Sequence, residues 1–151
     1  MQLILVRGVP GSGKSTFAKN VFPGAFHIEN DMFHVKDGKY QFDRSRQKDA
    51  VAWCMDMCDT ALRNGMDVVV SNTFTKVRYV MAYARLASEH GADLTVYRMN
   101  GSFKNSHSVP KEVFENMKNN FEGWPGEVVV TPTEDCYSYS DTDEKMPDTA
   151  A

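Results

Sequence analysis

The sequence predicts an α/β fold in one domain, with a mostly parallel sheet covered by helices on both faces. Three observations carry that prediction. Short apolar runs alternate with helical patterns along the chain, the signature of βαβ units. The run Val68-Val69-Val70-Ser71 has no polar alternation, as a strand buried on both faces requires. A glycine-rich turn, Gly8 to Ser15, joins the first apolar run to the first helical stretch.

The elements follow in order. Leu3 to Val6 reads as a buried strand and Lys14 to Val21 as a helix, broken by Pro23-Gly24. Ala25 to Glu29 is a second strand, with Phe26 and Ile28 on one face. Lys36 to Asp43 is polar, contains Asp37-Gly38 and reads as a loop. Arg44 to Asn64 is a long helix, because Ala50, Cys54, Met57, Ala61 and Leu62 recur at three- and four-residue spacing, with Gly65 as its cap. The third strand is Val68 to Ser71. Lys76 to His90 is a helix with Val77, Val80, Met81, Ala84 and Ala87 on one side and Gly91 as its cap. Leu94 to Met99 is a fourth strand and Asn100 to Ser108 a polar loop. Pro110 opens a helix through Phe121, and Trp124-Pro125-Gly126 turns the chain into a fifth strand, Glu127 to Thr131. The domain is expected over 1–132, followed over 133–151 by an acidic, weakly ordered tail, with its only large apolar groups, Tyr137 and Tyr139, as the means of docking part of it.

Composition narrows the function. The chain has 151 residues and a net charge of -3, with 42% hydrophobic residues, enough for a core without disulfide or metal staples. The charge is uneven, because residues 134–151 hold six acids and one base while residues 1–133 hold 16 bases and 14 acids. The body is therefore mildly positive, which suits a binder of nucleotide phosphates and disfavours a sequence-independent coater of duplex DNA. No apolar run reaches the roughly 18 residues of a membrane span, and the N-terminus lacks the basic start of a signal peptide. Cys54 and Cys58 lie on one helical face, without CxxC spacing, and read as buried small side chains with no disulfide partner. These features lead us to expect a reduced, cytoplasmic setting, the host cytoplasm if the chain is phage-encoded.

Gly8-Val9-Pro10-Gly11-Ser12-Gly13-Lys14-Ser15 fits G-x-x-x-x-G-K-[ST], the phosphate-binding P-loop. Glycines there let backbone N–H groups surround phosphate oxygens, and the following helix points its positive end at the same anion. Lys14 then reaches the β- and γ-phosphates, and Ser15, followed by Thr16, offers a hydroxyl to Mg²⁺. The guanine-reading N-K-x-D of GTPases is missing. The strand ending Val70-Ser71-Asn72-Thr73 lacks the acids of a motor ATPase. A kinase is the class left, and a kinase needs a group to accept the proton of the attacking hydroxyl. Asp31, just past the second strand, is placed for that role, with helix capping as its alternative. Cations for the transferring phosphoryl group are expected from a lid at about 100–108, in a stretch holding Arg98, Lys104 and His107. Phe33, Tyr40 and Phe42 near Asp31 are candidates for stacking on a base, or else are core.

At these residues the chain resembles the P-loop kinase domains of phage polynucleotide kinases and the wider group of small AAA-type P-loop kinase domains. Gly8 to Thr16, the Asp31 segment and Val70 to Thr73 occur in the family's order. Lys104-Asn105-Ser106-His107-Ser108-Val109-Pro110 resembles its lid-to-helix junction. The resemblance covers about residues 1–122. It implies an adenylate-kinase-like three-layer sandwich with five parallel strands in the order 2-3-1-4-5, ATP with Mg²⁺, and transfer to a 5′-hydroxyl. It carries the P-loop roles to Lys14 and Ser15 and the base to Asp31. The chain departs from the family at His34, where a phosphate-contacting Arg is usual, at Asn72, where an acid is usual, and at Lys104, where the lid usually has Arg. His34 and Arg78 become the candidate substrate contacts, and Asn72 a candidate metal contact through water. Three functions stay open: a polynucleotide 5′-kinase, a kinase of a small hydroxylated molecule such as a nucleoside, sugar or antibiotic, and a nucleotide-binding module without turnover.

Overall fold

The computed structural model describes residues 1–101, 109–134 and 136–141. Chain order gives β1 (Gln2–Arg7), α1 (Lys14–Val21), β2 (Phe26–Ile28), a 3₁₀ turn (Asn30–His34) and the short strands β3 (Val35–Lys36) and β4 (Lys39–Tyr40). A second 3₁₀ turn (Arg44–Arg46) leads into α2 (Gln47–Arg63), followed by β5 (Val68–Asn72), α3 (Val77–His90) and β6 (Asp93–Met99). The remaining elements are α4 (Lys111–Asn119), β7 (Val128–Pro132) and β8 (Tyr137–Asp141).

The main sheet runs β2-β5-β1-β6-β7-β8, and its first five strands are parallel. Counted without the β3–β4 hairpin, those five have the expected 2-3-1-4-5 order. β1 lies at the centre, pairing Leu5 with Val70 on one side and with Val96 on the other. Its side chains alternate between two cores, as the strand period dictates. Leu3 and Leu5 pack with Cys54, Cys58 and Leu62 of α2 and with Val80 and Ala87 of α3. Ile4 and Val6 pack with Phe17 and Ala18 of α1 and with Val130. Burying Phe17 alone is worth about 1.5–3 kcal/mol. Gly91 caps α3 in the left-handed conformation, as its position predicts.

Four expectations need correction. The polar stretch after Lys36 is not all loop: β3 and β4 form a hairpin around Asp37 and Gly38, both with positive φ, as a two-residue hairpin turn demands. The helix expected from Arg44 opens as the 3₁₀ turn, where Asp43 accepts from Ser45 N at 3.0 Å, and becomes α-helical at Gln47. α4 stops at Asn119 because Asn120 Nδ2 donates to Asn116 O at 2.8 Å, and Phe121 turns inward beneath Arg7. The sheet has six strands rather than five, because Tyr137–Asp141 of the expected weakly ordered tail pairs antiparallel with β7. Aromatic packing explains that docking: the Tyr137 ring meets Phe17 edge-on at 4.9 Å, and Tyr139 approaches Tyr97 at 6.4 Å. Among the described residues, no helix is long and apolar enough to cross a membrane.

Candidate active site

The carboxyl ends of β1, β2 and β5 open on one cleft of about 1100 Å³. Its floor is the loop between β1 and α1. A Cβ on Gly8 would sit 2.4 Å from Ser12 Oγ and 3.2 Å from Met99 Cβ, so the loop closes only over a glycine. Gly11 and Gly13 adopt φ of 78° and 94°, which bends the chain so that α1 starts at Lys14. Gly8 N donates to Thr73 O at 3.2 Å and ties the loop to the end of β5. Pro10, Gly11, Gly13, Lys14, Ser15 and Thr16 line the cleft, while Gly8 and the buried Ser12 shape the loop from behind. The N–H groups of Lys14, Ser15 and Thr16 belong to the first turn of α1 and have no acceptor within the helix.

Lys14 Nζ donates to Val9 O at 3.0 Å. Burial draws its pKa down to about 8, against the opposing pull of the Glu29 and Asp31 carboxylates. Glu29, just past β2, is a site residue that sequence reasoning passed over as a strand end. Ser15 Oγ donates to its Oε2 at 2.6 Å, and His27 Nε2 lies 2.7 Å from the same oxygen. Burial works to raise the Glu29 pKa. The hydrogen bonds of His27 and Ser15, helped by the charges of His27 and Lys14, outweigh it and hold the pKa below the usual value. The available signal was positional, since ligands of open α/β sheets bind beyond the carboxyl ends of strands. Ser15 Oγ and Glu29 are hard oxygen donors of the kind Mg²⁺ takes, and Mg²⁺ needs few protein ligands when waters and phosphates complete its shell. Among the described residues, no group of three or more His, Cys, Asp or Glu is set to enclose a metal without such help.

Asp31 lies on the 3₁₀ turn and lines the same cleft. It is not that turn's cap, since the capping position is Glu29. Tyr40 Oη donates to Asp31 Oδ1 at 3.3 Å. Asn72 also lines the cleft, but both ends of its amide engage Asn30: Oδ1 accepts from Asn30 N at 2.8 Å, and Nδ2 donates to Asn30 Oδ1 at 3.1 Å. Asn72 thus braces the turn that carries Asp31.

The predicted substrate contacts are placed elsewhere. His34 is 2% exposed, its Nε2 is 3.0 Å from Gln47 Oε1, and it stays out of the cleft lining. Its ring is an apolar and hydrogen-bonded support, which corrects the expected phosphate contact. Arg78 points to solvent, donates to Tyr79 Oη at 3.0 Å and covers that ring, also away from the cleft. Arg98 belongs to β6, where it lies 4.5 Å from the Phe121 ring and 3.5 Å from Glu127 Oε2, so it is no part of a lid. Lys104, His107 and most of the lid expected at about 100–108 lie outside the described residues.

A family model described as an AAA domain matches residues 3–124. The uncharacterized protein PM0531 of Pasteurella multocida (strain Pm70) is 30% identical over 131 residues, covering 76% of this chain and 73% of its own length. A protein of Acanthamoeba polyphaga mimivirus, described as a putative bifunctional polynucleotide phosphatase/kinase, is 34% identical over 92 residues, or 61% of this chain. This chain spans only 19% of that relative. A chain in the structure of the Pnkp1/Rnl/Hen1 RNA repair complex superposes with a TM-score of 0.63 at 19% identity. That likeness covers 80% of this chain and 43% of the other, and it shows a shared fold.

Proposed function

The chain belongs to the AAA domain family of P-loop kinase-like domains, and from that premise we propose that it transfers the γ-phosphoryl group of ATP to the 5′-hydroxyl of a polynucleotide. One observation carries the reading: Asp31 lines the same cleft as Lys14 and Ser15. An acceptor hydroxyl between them has a proton acceptor on one side and the phosphoryl group on the other. The hydroxyl oxygen attacks the γ-phosphorus as the bond to the β-phosphate oxygen breaks. Asp31 takes the hydroxyl proton, and ADP leaves. Lys14 exchanges its Val9 carbonyl for phosphate oxygens, and the first-turn N–H groups of α1 hold the anion. Ser15 and Glu29 would hold Mg²⁺, which would supply charge neutralisation at the phosphates. The name of the mimivirus relative supports the choice of a polynucleotide acceptor.

Incubation with γ-labelled ATP and 5′-hydroxyl DNA and RNA oligonucleotides tests this. Label on the 5′ end is the expected result. Absence of transfer to any oligonucleotide between pH 6 and 9 would overturn it. Label on a nucleoside or sugar instead assigns a small-molecule kinase. ATP binding without chemistry, unchanged by Asp31→Asn, assigns a binding module.

A further inference from the structure

Resting on the kinase reading, we propose that Tyr40, Phe42 and Arg44 form the acceptor subsite, with the two rings as a platform for the 5′-terminal base and Arg44 on the phosphate that follows it. Tyr40 and Phe42 are 39% and 54% exposed, and both line the cleft beside Asp31. Their planes differ by only 6°, with centroids 6.4 Å apart, so they present parallel faces and not the edge-to-face pairing common in cores. The platform is set in place from beneath. The buried His34 ring is 5.0 Å from Phe42 and 6.4 Å from Tyr40, and Gln47 fixes it. The neighbouring Phe33 is occupied elsewhere, against Trp53 at 6.0 Å and under Arg46 at 4.7 Å. Three candidate aromatics thus divide into one that packs and two that face the cleft.

Arg44 supplies the charge. It lines the cleft two residues after Phe42, and no hydrogen bond or ion pair among the described residues engages its guanidinium. A planar fork of donors suits a phosphate oxygen pair. Tyr40 Oη, on Asp31 Oδ1, links the platform to the proton acceptor. A flat apolar face, a cation and a proton acceptor side by side match a nucleotide unit that has a base, a following phosphate and a terminal hydroxyl. Any base has a π-face, so the subsite selects for the presence of a base and not for its identity.

The test uses the full chain and short 5′-hydroxyl DNA carrying 2-aminopurine at its 5′ end, whose fluorescence is quenched on stacking. Quenching is expected with the unaltered chain and is lost in Phe42→Ala. Phe42→Ala should also weaken oligonucleotide binding about tenfold, within the range for one base–aromatic contact. An abasic 5′-terminal unit should lose as much in the unaltered chain and nothing further in Phe42→Ala. Arg44→Ala should weaken binding of the oligonucleotide but not of one with a neutral methylphosphonate at the first linkage. Melting temperature and ATP affinity report whether each variant folds, and Phe42→Leu keeps the apolar bulk without the flat face. Equal binding of abasic and ordinary ends, or quenching that survives Phe42→Ala, would overturn the subsite even where label transfer succeeds. Quenching that behaves as expected without any transfer would uphold the subsite and overturn the 5′-kinase reading.

Discussion

Lys14 and Asp31 line the same cleft, and under the proposed kinase reading they act at different moments, so their variants should separate accordingly. Lys14→Ala should abolish most ATP binding, read by calorimetry, because it removes the point charge that meets the phosphates in the bound state. Asp31→Asn should leave ATP affinity near its starting value and lower turnover about 10²–10⁴-fold, the usual contribution of a positioned base. The cysteines give a second test at this scale. Burial pushes the Cys58 thiol up to about 12, with the neighbouring Cys54 and Asp59 charges adding to the rise. Cys54 is raised too, again chiefly by burial. Thiolate is the reactive form, so both thiols stay inert near neutral pH. Iodoacetamide at pH 8 should label exposed Cys136 in the native protein and all three cysteines after unfolding, counted by mass spectrometry. Position in the cleft was legible where a motif fixes it, as for Lys14 and Ser15. The bonds of Glu29 to Ser15 and of Asn72 to Asn30 were not legible, because those partners lie 14 and 42 positions away.

At the scale of elements, punctuation was the most readable feature. Gly91 stands at φ 66° with open space where a Cβ would project, so its substitution introduces backbone strain without a clash. Gly91→Ala should therefore cost about 1 kcal/mol, read from urea unfolding, with ATP binding unaffected. Lys14–Val21 and β5 emerged where periodicity put them, since apolar spacing and β-branching point the same way there. The β3–β4 hairpin did not, although Asp37-Gly38 is a hairpin turn by chemistry. Its strands are only two residues each, too short for a period-two pattern to register. Phe33, Tyr40 and Phe42 were candidates for stacking, but nothing in the sequence tells an aromatic over a cleft from one in a core.

At the scale of the whole molecule, Arg7 and Glu127, both fully buried, pair at 2.9 Å. Arg7 Nη2 also donates to Glu122 O at 2.6 Å and to Phe74 O, while Glu127 Oε2 accepts from Trp124 N at 3.0 Å. The pair joins the strand entering the P-loop to the turn before β7. Glu127→Ala leaves the Arg7 charge buried without its carboxylate and should destabilise the fold by about 3–5 kcal/mol in urea unfolding. Exposed Arg46, paired with Asp49 at 3.1 Å, should lose under about 1 kcal/mol when replaced by Ala. The sequence by itself determined the parallel α/β fold, its two-sided core and the phosphate loop, because these depend on local periodicity and on glycines at fixed spacing. Only the tertiary structure decided that Glu29 faces Ser15, that Asn72 braces the Asp31 turn, that His34 supports two rings and that Tyr137 docks on Phe17. Those outcomes depend on which side chains meet across distant elements, and contact geometry between residues as far apart as Arg7 and Glu127 is set by packing the whole chain at once.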